Sequence, residues 1–157
     1  MATQLTKNFT LEELTASSDA VKYDIDNKPD AKTWANLTEL AIALQSIRDY
    51  YGKPISVNSA YRCPKLNEKV GGATTSQHMT GFAADIKPTD GNMAALKMVI
   101  LEWAKTHKYD QIILEQCDSK GIPQWIHFGC KHATKGQRKQ KLTAKKVNGK
   151  WVYSSFN

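Results

Sequence analysis

Three residues of the types that bind zinc stand in the middle and later part of the sequence: His78, Asp85 and His127. A catalytic zinc ion takes three protein ligands from His, Asp, Glu or Cys and keeps a fourth position for water, whose pKa it lowers towards neutrality. A loop that turns into a strand can bring His78 and Asp85 to one point, and Gly81 permits that turn. On residue types and spacing alone, three surface or internally hydrogen-bonded residues remain the simpler interpretation.

The helices that must position these residues can be predicted from apolar periodicity and from capping residues. A capping box indicates a short first helix, and apolar side chains recurring every three or four positions indicate two long amphipathic helices. A further short helix begins at a proline and ends at a Gly-Gly pair. The predicted helices cover about residues 10–18, 30–51, 64–70 and 92–107.

Strands are predicted where β-branched and aromatic residues alternate with polar ones. They are PISVNSAYR, FAADIKP, YDQIILEQ, QWIHFGC and a final hairpin of KLTAKKV and KWVYSSF around Asn148-Gly149. His78 then lies on a loop, while Asp85 and His127 lie on strands. Helices and hairpins that are segregated along the chain are typical of the α+β class with an antiparallel sheet. We expect one domain over residues 1–157, with an N-terminal arm and helix over about 1–25 and a C-terminal hairpin over about 138–157.

The composition is that of a compact globular protein. Of the 157 residues, 41% are hydrophobic and 24% charged, which excludes a disordered or fibrous chain. The three cysteines are an odd number at irregular spacing, so neither a disulfide framework nor a CxxC metal site is expected. The sequence contains no stretch resembling a transmembrane helix or a secretory signal, which predicts a product made in the cytoplasm.

The chain is basic, with a formal charge of +7 and a pI near 9.3. This charge is compatible with a solvated face, an anionic cell wall or nucleic acid, and cannot choose among them. In the basic stretch HATKGQRKQKLTAKK, no aromatic residue is available to stack on bases. We therefore expect no specific nucleic-acid partner.

A longer string around the first two candidate ligands carries a family resemblance. SAYRCPKLNEKVGGATTSQHMTGFAADI resembles the signature of the zinc D-alanyl-D-alanine carboxypeptidase family, whose relatives include phage endolysins and the hedgehog zinc fold. The later WIHFG resembles the strand that bears the family's third ligand. The matching positions are Ser76, His78, Gly81, Ala83, Asp85 and His127.

The resemblance implies a zinc ion bound by His78, Asp85 and His127, in an antiparallel sheet with flanking helices. It also implies that Arg62 binds substrate, because a guanidinium forms paired hydrogen bonds with a carboxylate or carbonyl. A surface salt bridge is the alternative for Arg62. Ser76 is expected to support the ligands or contact substrate, with a loop-capping role as its alternative.

A zinc peptidase also needs a general base, commonly a glutamate. Several branches of the family place it three residues before the last histidine, where this chain has Gln124. Glu115 ends the strand YDQIILE, so its side chain can lie diagonal to His127 on one sheet face, and the phage branch has a similar strand. We assign the base to Glu115, with Asp118 or a merely structural Glu115 as the alternatives.

The resemblance implies zinc-dependent hydrolysis of peptidoglycan stem peptides, as a D-Ala-D-Ala carboxypeptidase or an endopeptidase. A phage-type lysis or wall-remodelling enzyme acting on the bacterial cell wall is the expected setting. The rival hypothesis is a non-catalytic zinc-fold binding module, which Gln124 keeps open. The scissile bond and the target organism stay open, and a monomer is the default oligomeric state.

Four further residues are expected to lie outside the site. His107 and His132 are interpreted as surface residues, and Asp110 as a residue that caps or orients a turn. Trp125 is expected to face away from His127 and to pack in the core.

Overall fold

The computed structural model describes residues 2–156, so Met1 and Asn157, the ends of the predicted domain, lie outside it. Five α-helices and six strands follow one another, with a 3-10 turn over Gln77–Met79. The helices are α1 (Leu11–Thr15), α2 (Ser18–Lys22), α3 (Ala31–Tyr51), α4 (Pro64–Lys69) and α5 (Met93–Ala104). The strands are β1 (Ile55–Ser59), β2 (Ala83–Pro88), β3 (Gln111–Glu115), β4 (Trp125–Gly129), β5 (Gln140–Val147) and β6 (Lys150–Ser155).

The strands form one sheet in the order β1-β2-β4-β3-β5-β6. Four of the neighbouring pairs are antiparallel, as predicted, but β3 and β5 are parallel, so the predicted antiparallel sheet is wrong at this pair alone. The reason is the path of the chain after β4. Gly129, the end of β4, lies opposite Gln111, the start of β3. The chain then crosses that end of β3 and starts β5 beside Gln111, in the direction of β3.

The two faces of the sheet have different surroundings. Because side chains alternate along a strand, one set of strand residues packs against α3 and α5, and the other set is left facing an open cleft. The packed face holds most of the buried apolar core, whose members are at most 7% exposed. Its members include Leu37, Leu40, Leu44, Ile47, Ala84, Ile86, Leu96, Ile100, Trp103, Ile112, Leu114, Ile126 and Phe128.

Most predicted elements are present at nearly the predicted bounds. The long helix α3 begins after Asp30, whose carboxylate accepts from the Thr33 amide at 2.8 Å, and ends at Gly52 in the left-handed region. Asn148 and Gly149 both have positive φ, which confirms the predicted hairpin turn. The helix α2 was not predicted, because its five residues have no apolar repeat. No helix within residues 2–156 has the length and apolar character needed to span a membrane.

The segment that carries His78 into β2 packs closely on α3 at Gly81. Gly81 has a φ of +83°, and a Cβ there would lie 3.1 Å from the Thr33 carbonyl oxygen and 3.2 Å from Leu37 Cγ. Asn36 Nδ2 donates to the Thr80 carbonyl at 2.8 Å and holds the same segment on the helix. Gly81 is therefore required both for its backbone conformation and for this close approach.

We expect Gly81→Ala to destabilise the protein more than Gly91→Ala. Both glycines have positive φ, near +80°, but a Cβ at Gly91 meets nothing within 4 Å. Both variants should lose about 1 kcal/mol to backbone strain, and Gly81→Ala roughly 1 kcal/mol more because the helix must give way. Urea denaturation at neutral pH measures both losses, and equal losses would contradict the close approach.

Candidate metal centre

The structure brings His78, Asp85 and His127 together at the floor of the cleft. His78 comes from the 3-10 turn, Asp85 from β2 and His127 from β4, where Asp85 and His127 are direct cross-strand partners. Asp85 Oδ1 lies 3.4 Å from His78 Nε2 and 3.2 Å from His127 Nδ1. One ligand atom from each of the three residues lies within 4.8 Å of the others. Within residues 2–156 no other group of three His, Cys, Asp or Glu residues meets that distance.

The ring of His78 is held in the tautomer that a metal needs. Its Nδ1 lies 2.6 Å from the Ala60 carbonyl oxygen, which can only accept, so Nδ1 carries the proton and Nε2 keeps its lone pair. The Arg62 amide donates to the His78 carbonyl at 3.0 Å. The segment after β1 thus fixes both the ring and the backbone of His78, which is only 3% exposed.

The donor set fits a zinc ion. Zinc ligands lie about 2.0–2.2 Å from the metal, so two donors of a tetrahedral site stand about 3.3–3.6 Å apart. The two separations from Asp85 Oδ1, 3.4 Å and 3.2 Å, are close to that value. Two imidazole nitrogens and one carboxylate oxygen are also ligands that zinc accepts in catalytic sites, with a position left open.

Electrostatics favour the metal-binding protonation states of Asp85 and His78. Burial by itself would raise the pKa of Asp85, but hydrogen bonds and charge from His127 and His78 outweigh it and hold that pKa far below its usual range. Burial lowers the pKa of His78 below its ordinary value. Near neutral pH the site therefore offers a carboxylate and a neutral imidazole, and neither has to lose a proton to bind a cation.

The cleft above these residues has a volume of about 580 Å³ and runs across the strands. Arg62 and Ser76 line the side next to β1 and β2, and Glu115 lies beyond His127 on β3. The far side of the cleft is formed by β4, β5 and β6. The residues that line this side include Trp125, Leu142, Lys146, Trp151 and Tyr153.

Glu115 occupies the predicted position, diagonal to His127. In register, Glu115 pairs with Trp125 and Ile113 pairs with His127, so all four side chains share the cleft face. Glu115 is 8% exposed, and its Oε2 is buried with no hydrogen-bond partner in the described part of the chain. Burial raises its pKa to about 7, with His127 lowering it and Asp85 raising it. Such a carboxyl group can exchange a proton near neutral pH.

Arg62 and Ser76 are joined to the metal-binding segment. Ser76 Oγ accepts from the His78 amide at 3.2 Å and from the Arg62 guanidinium at 3.3 Å, so it caps the turn and also touches Arg62. Arg62 Nε is buried with no partner among residues 2–156. Arg62 lines the cleft, and among residues 2–156 its guanidinium is not engaged in the surface salt bridge that was its alternative.

Gln124 and Asp118, which bear on the choice of the base, lie away from this cleft. Gln124 is exposed, and it borders a separate depression together with Asp118. Asp118 accepts from the Lys120 and Ile122 amides at 2.8 and 3.0 Å, and these hydrogen bonds lower its pKa. Of the three candidates, only Glu115 lines the cleft.

The remaining two histidines also lie outside the cleft. His107 stacks on Trp103 with ring centroids 4.6 Å apart, and its Nδ1 lies 2.8 Å from the Trp103 carbonyl. His132 Nδ1 accepts from the Thr134 and Lys135 amides, which closes a local turn. Neither residue belongs to the group of metal-binding residues.

The expectation for Trp125 was wrong. Trp125 lines the cleft, because residues 125 and 127 are two apart on one strand and therefore share a face. Its ring meets that of Trp151 edge to face, with centroids 6.4 Å apart. Trp125 therefore forms part of the surface that a ligand in the cleft would touch.

A buried hydrogen-bond network beside the site was missed. Asp110 is fully buried and accepts from Arg138 Nε at 2.7 Å and from Arg138 Nη2 at 3.0 Å. It also accepts from Gln77 Nε2 at 2.6 Å, next to the ligand His78. Asp110 thus ties the metal-binding turn to the segment before β5. The sequence signals were an aspartate directly before a strand and a polar neighbour of His78, which are too common to single out.

This fold and site match a known peptidase family. The sequence profile described as Peptidase M15 matches residues 7–128, and the chain belongs to this family. Over 71 residues the chain is also 38% identical to the zinc D-Ala-D-Ala carboxypeptidase of Streptomyces albus G. That stretch is 45% of this chain and spans about a quarter, 26%, of the relative. Family membership and the relative both imply zinc as the metal, in agreement with the donor set.

We expect the purified protein to retain about one zinc ion per chain, and His78→Ala or Asp85→Ala to lose it. His107→Ala and His132→Ala are matched controls, since each removes a histidine outside the site. Inductively coupled plasma mass spectrometry after dialysis gives the zinc content, and circular dichroism shows whether each variant is folded. A folded His78→Ala protein with full zinc would contradict the site.

The raised pKa of Glu115 predicts a pH-dependent stability in the metal-free protein. Between its ordinary value of 4.5 and about 7, the folded state binds more protons at Glu115 than the unfolded state. Stability should therefore fall as pH rises through this window. Glu115→Gln has no ionisable group at this position and lacks this loss. Near pH 7 its free energy of unfolding should therefore be roughly 1–3 kcal/mol higher than that of the wild type. Urea denaturation in chelator at pH 4.5 and 7 tests the difference, and parallel curves would contradict it.

Proposed function

We propose that this protein hydrolyses peptidoglycan stem peptides with zinc, as a D-Ala-D-Ala carboxypeptidase or as an endopeptidase. The observation that carries the proposal is the meeting of His78, Asp85 and His127 at the floor of a cleft that Glu115 also lines. A metal site with an open position beside a proton-accepting carboxylate is the minimum arrangement for metal-assisted hydrolysis.

In this proposal His78, Asp85 and His127 hold the zinc ion. When bound, zinc supplies Lewis acidity towards a carbonyl group and lowers the pKa of water. The protein itself must keep the three ligands oriented. Ala60 fixes the ring of His78 through the 2.6 Å contact at Nδ1, and β-sheet pairing fixes Asp85 against His127.

Glu115 is the proposed general base. Its carboxylate takes a proton from the attacking water, the water oxygen bonds to the peptide carbonyl carbon, and the carbon–nitrogen bond breaks. The same carboxyl group then returns the proton to the leaving amine nitrogen. The position of Glu115 supports this role, because its side chain lines the cleft and burial raises its pKa to about 7.

Arg62 is proposed to position the substrate. Its guanidinium lies at the opposite side of the metal group from Glu115 and is held through Ser76 Oγ at 3.3 Å. A guanidinium binds a carboxylate or a carbonyl through paired hydrogen bonds and keeps its charge at any working pH. Arg62 can therefore anchor the peptide end that lies beyond the scissile bond.

The substrate class is supported by two observations. The relative from Streptomyces albus G is named for its action on D-Ala-D-Ala, and this chain is basic, which favours residence near an anionic wall. We propose a phage-type lysis or wall-remodelling role for this enzyme. The rival, a zinc-fold module that binds the wall without cutting it, predicts a zinc protein that retains wall fragments unchanged.

We expect Glu115→Gln to keep its zinc and lose hydrolysis, because an amide cannot take up the proton. The loss should be at least about a hundredfold in kcat. Asp118→Asn is the matched control, since it removes an exposed carboxylate outside the cleft. Mass spectrometry of digested peptidoglycan and of a synthetic stem pentapeptide measures turnover, and the new termini tell carboxypeptidase from endopeptidase cleavage.

Each alternative has its own outcome. Full turnover in Glu115→Gln would move the base elsewhere, and loss in Asp118→Asn alone would move it to Asp118. A zinc-loaded wild-type protein that binds peptidoglycan but releases no new termini would favour the binding module.

A further inference from the structure

The C-terminal hairpin of β5 and β6 carries positive charges and no negative ones, and it lies outside the segment that matches the family. No acidic residue follows Asp118 in the sequence, whereas lysines recur throughout this region. The family match ends at residue 128, before β5 begins. The hairpin nevertheless forms one side of the cleft. Its surface must therefore meet whatever occupies the cleft, and the family match does not describe that side.

Sheet register determines which hairpin residues face the cleft. Glu115 pairs with Ala144, and Ala144 pairs with Tyr153, so Tyr153 shares the row and the face of Glu115. One row further on, Lys146 pairs with Trp151 on the same face. Lys146, Trp151 and Tyr153 all line the cleft. Ala144 is small and buried, which leaves room for the longer side chains around it.

The aromatic and cationic side chains of this wall are in contact with one another. Lys146 Nζ lies 5.9 Å from the centroid of the Trp151 ring, and Trp151 packs edge to face on Trp125. Lys146 makes no ion pair with an acidic residue within residues 2–156. Its ammonium group is thus available to an anion in the cleft, beside an apolar surface.

The wall lies at a distance from the metal ligands that a short peptide can span. Leu142 on β5 is in register with His127, two strands away across β3. Lys146 lies four residues further along β5 than Leu142. With strands about 4.8 Å apart and about 3.3 Å per residue, the two backbones are about 16 Å apart. An extended peptide of about five residues spans this distance.

We propose that this hairpin wall determines substrate specificity, with Lys146 binding a carboxylate of the peptide within about five residues of the scissile bond. Trp151 and Tyr153 pack against the intervening chain. This proposal rests on the proposed function, because it takes the ligand to be an acidic stem peptide. It also adds a second cationic anchor across the metal site from Arg62, so that a bound peptide is held at both ends.

The chain offers a matched pair for the test. Lys145 and Lys146 are adjacent on β5, so their side chains lie on opposite faces, and only Lys146 lines the cleft. Lys145→Gln and Lys146→Gln change the net charge equally. Each is made in the zinc-loaded Glu115→Gln protein, and binding is measured by calorimetry. The probes are a synthetic stem pentapeptide with a free acidic side group and the same peptide with that group amidated.

Lys146→Gln should weaken binding of the acidic peptide about tenfold and leave binding of the amidated peptide unchanged. Lys145→Gln should change neither by more than about twofold. Equal effects of the two variants would mean that only the overall charge matters and would overturn the proposal. Absence of measurable binding of the acidic peptide to the Glu115→Gln protein would overturn it as well.

A second pair tests the aromatic surface by the same assay. Trp151→Ala should weaken binding of both peptides, whereas Val152→Ala, an exposed neighbour on the other face of β6, should not. Zinc content is measured in all variants as a check on the site. Hydrolysis by the otherwise wild-type protein is scored separately. If peptide binding depends on Lys146 but the otherwise wild-type protein shows no hydrolysis, only the proposed function is contradicted. If that protein hydrolyses the acidic peptide and Lys146→Gln does so equally well, only the proposed role of the hairpin wall is contradicted.

Discussion

The partly buried carboxylate of Asp85 is the constraint on which the rest of the site depends. A buried negative charge is costly unless it is paired and hydrogen-bonded. Here its partners are two imidazoles from different parts of the chain, with Oδ1 within 3.4 Å of both. This arrangement is only possible because β2 and β4 pair in a register that sets Asp85 opposite His127. A shift of one residue would turn one of them into the apolar face.

The sheet separates stability from chemistry. Its helix-covered face carries the apolar core, and its other face carries charged and aromatic side chains around a cleft. The buried network of Gln77, Asp110 and Arg138 joins the metal-binding turn to the chain that leads into β5. The metal-binding turn and the start of the hairpin are thereby both attached to Asp110, at the start of β3.

The sequence supported good predictions where the information is local. Capping residues and apolar repeats gave the long helices, and alternation gave the strands, because both patterns depend on residues a few positions apart. Glu115 was placed by the same alternation. Trp125 was not, although it stands two residues before His127 and alternation puts both on one face. The parallel pairing of β3 and β5, in contrast, depends on the path of residues 130–139, for which the sequence carries no local pattern.

The sequence by itself determined the family, the zinc-binding residue types and the elements on which His78, Asp85 and His127 lie. Only the tertiary structure decided that the three donors converge, that Glu115 rather than Gln124 or Asp118 lines the cleft, and that Lys146, Trp151 and Tyr153 complete it. The physical reason is the sequence separation of the residues that interact. Secondary structure follows from neighbours along the chain, whereas the cleft joins residues from position 62 to position 153, whose distances are set by strand order and register.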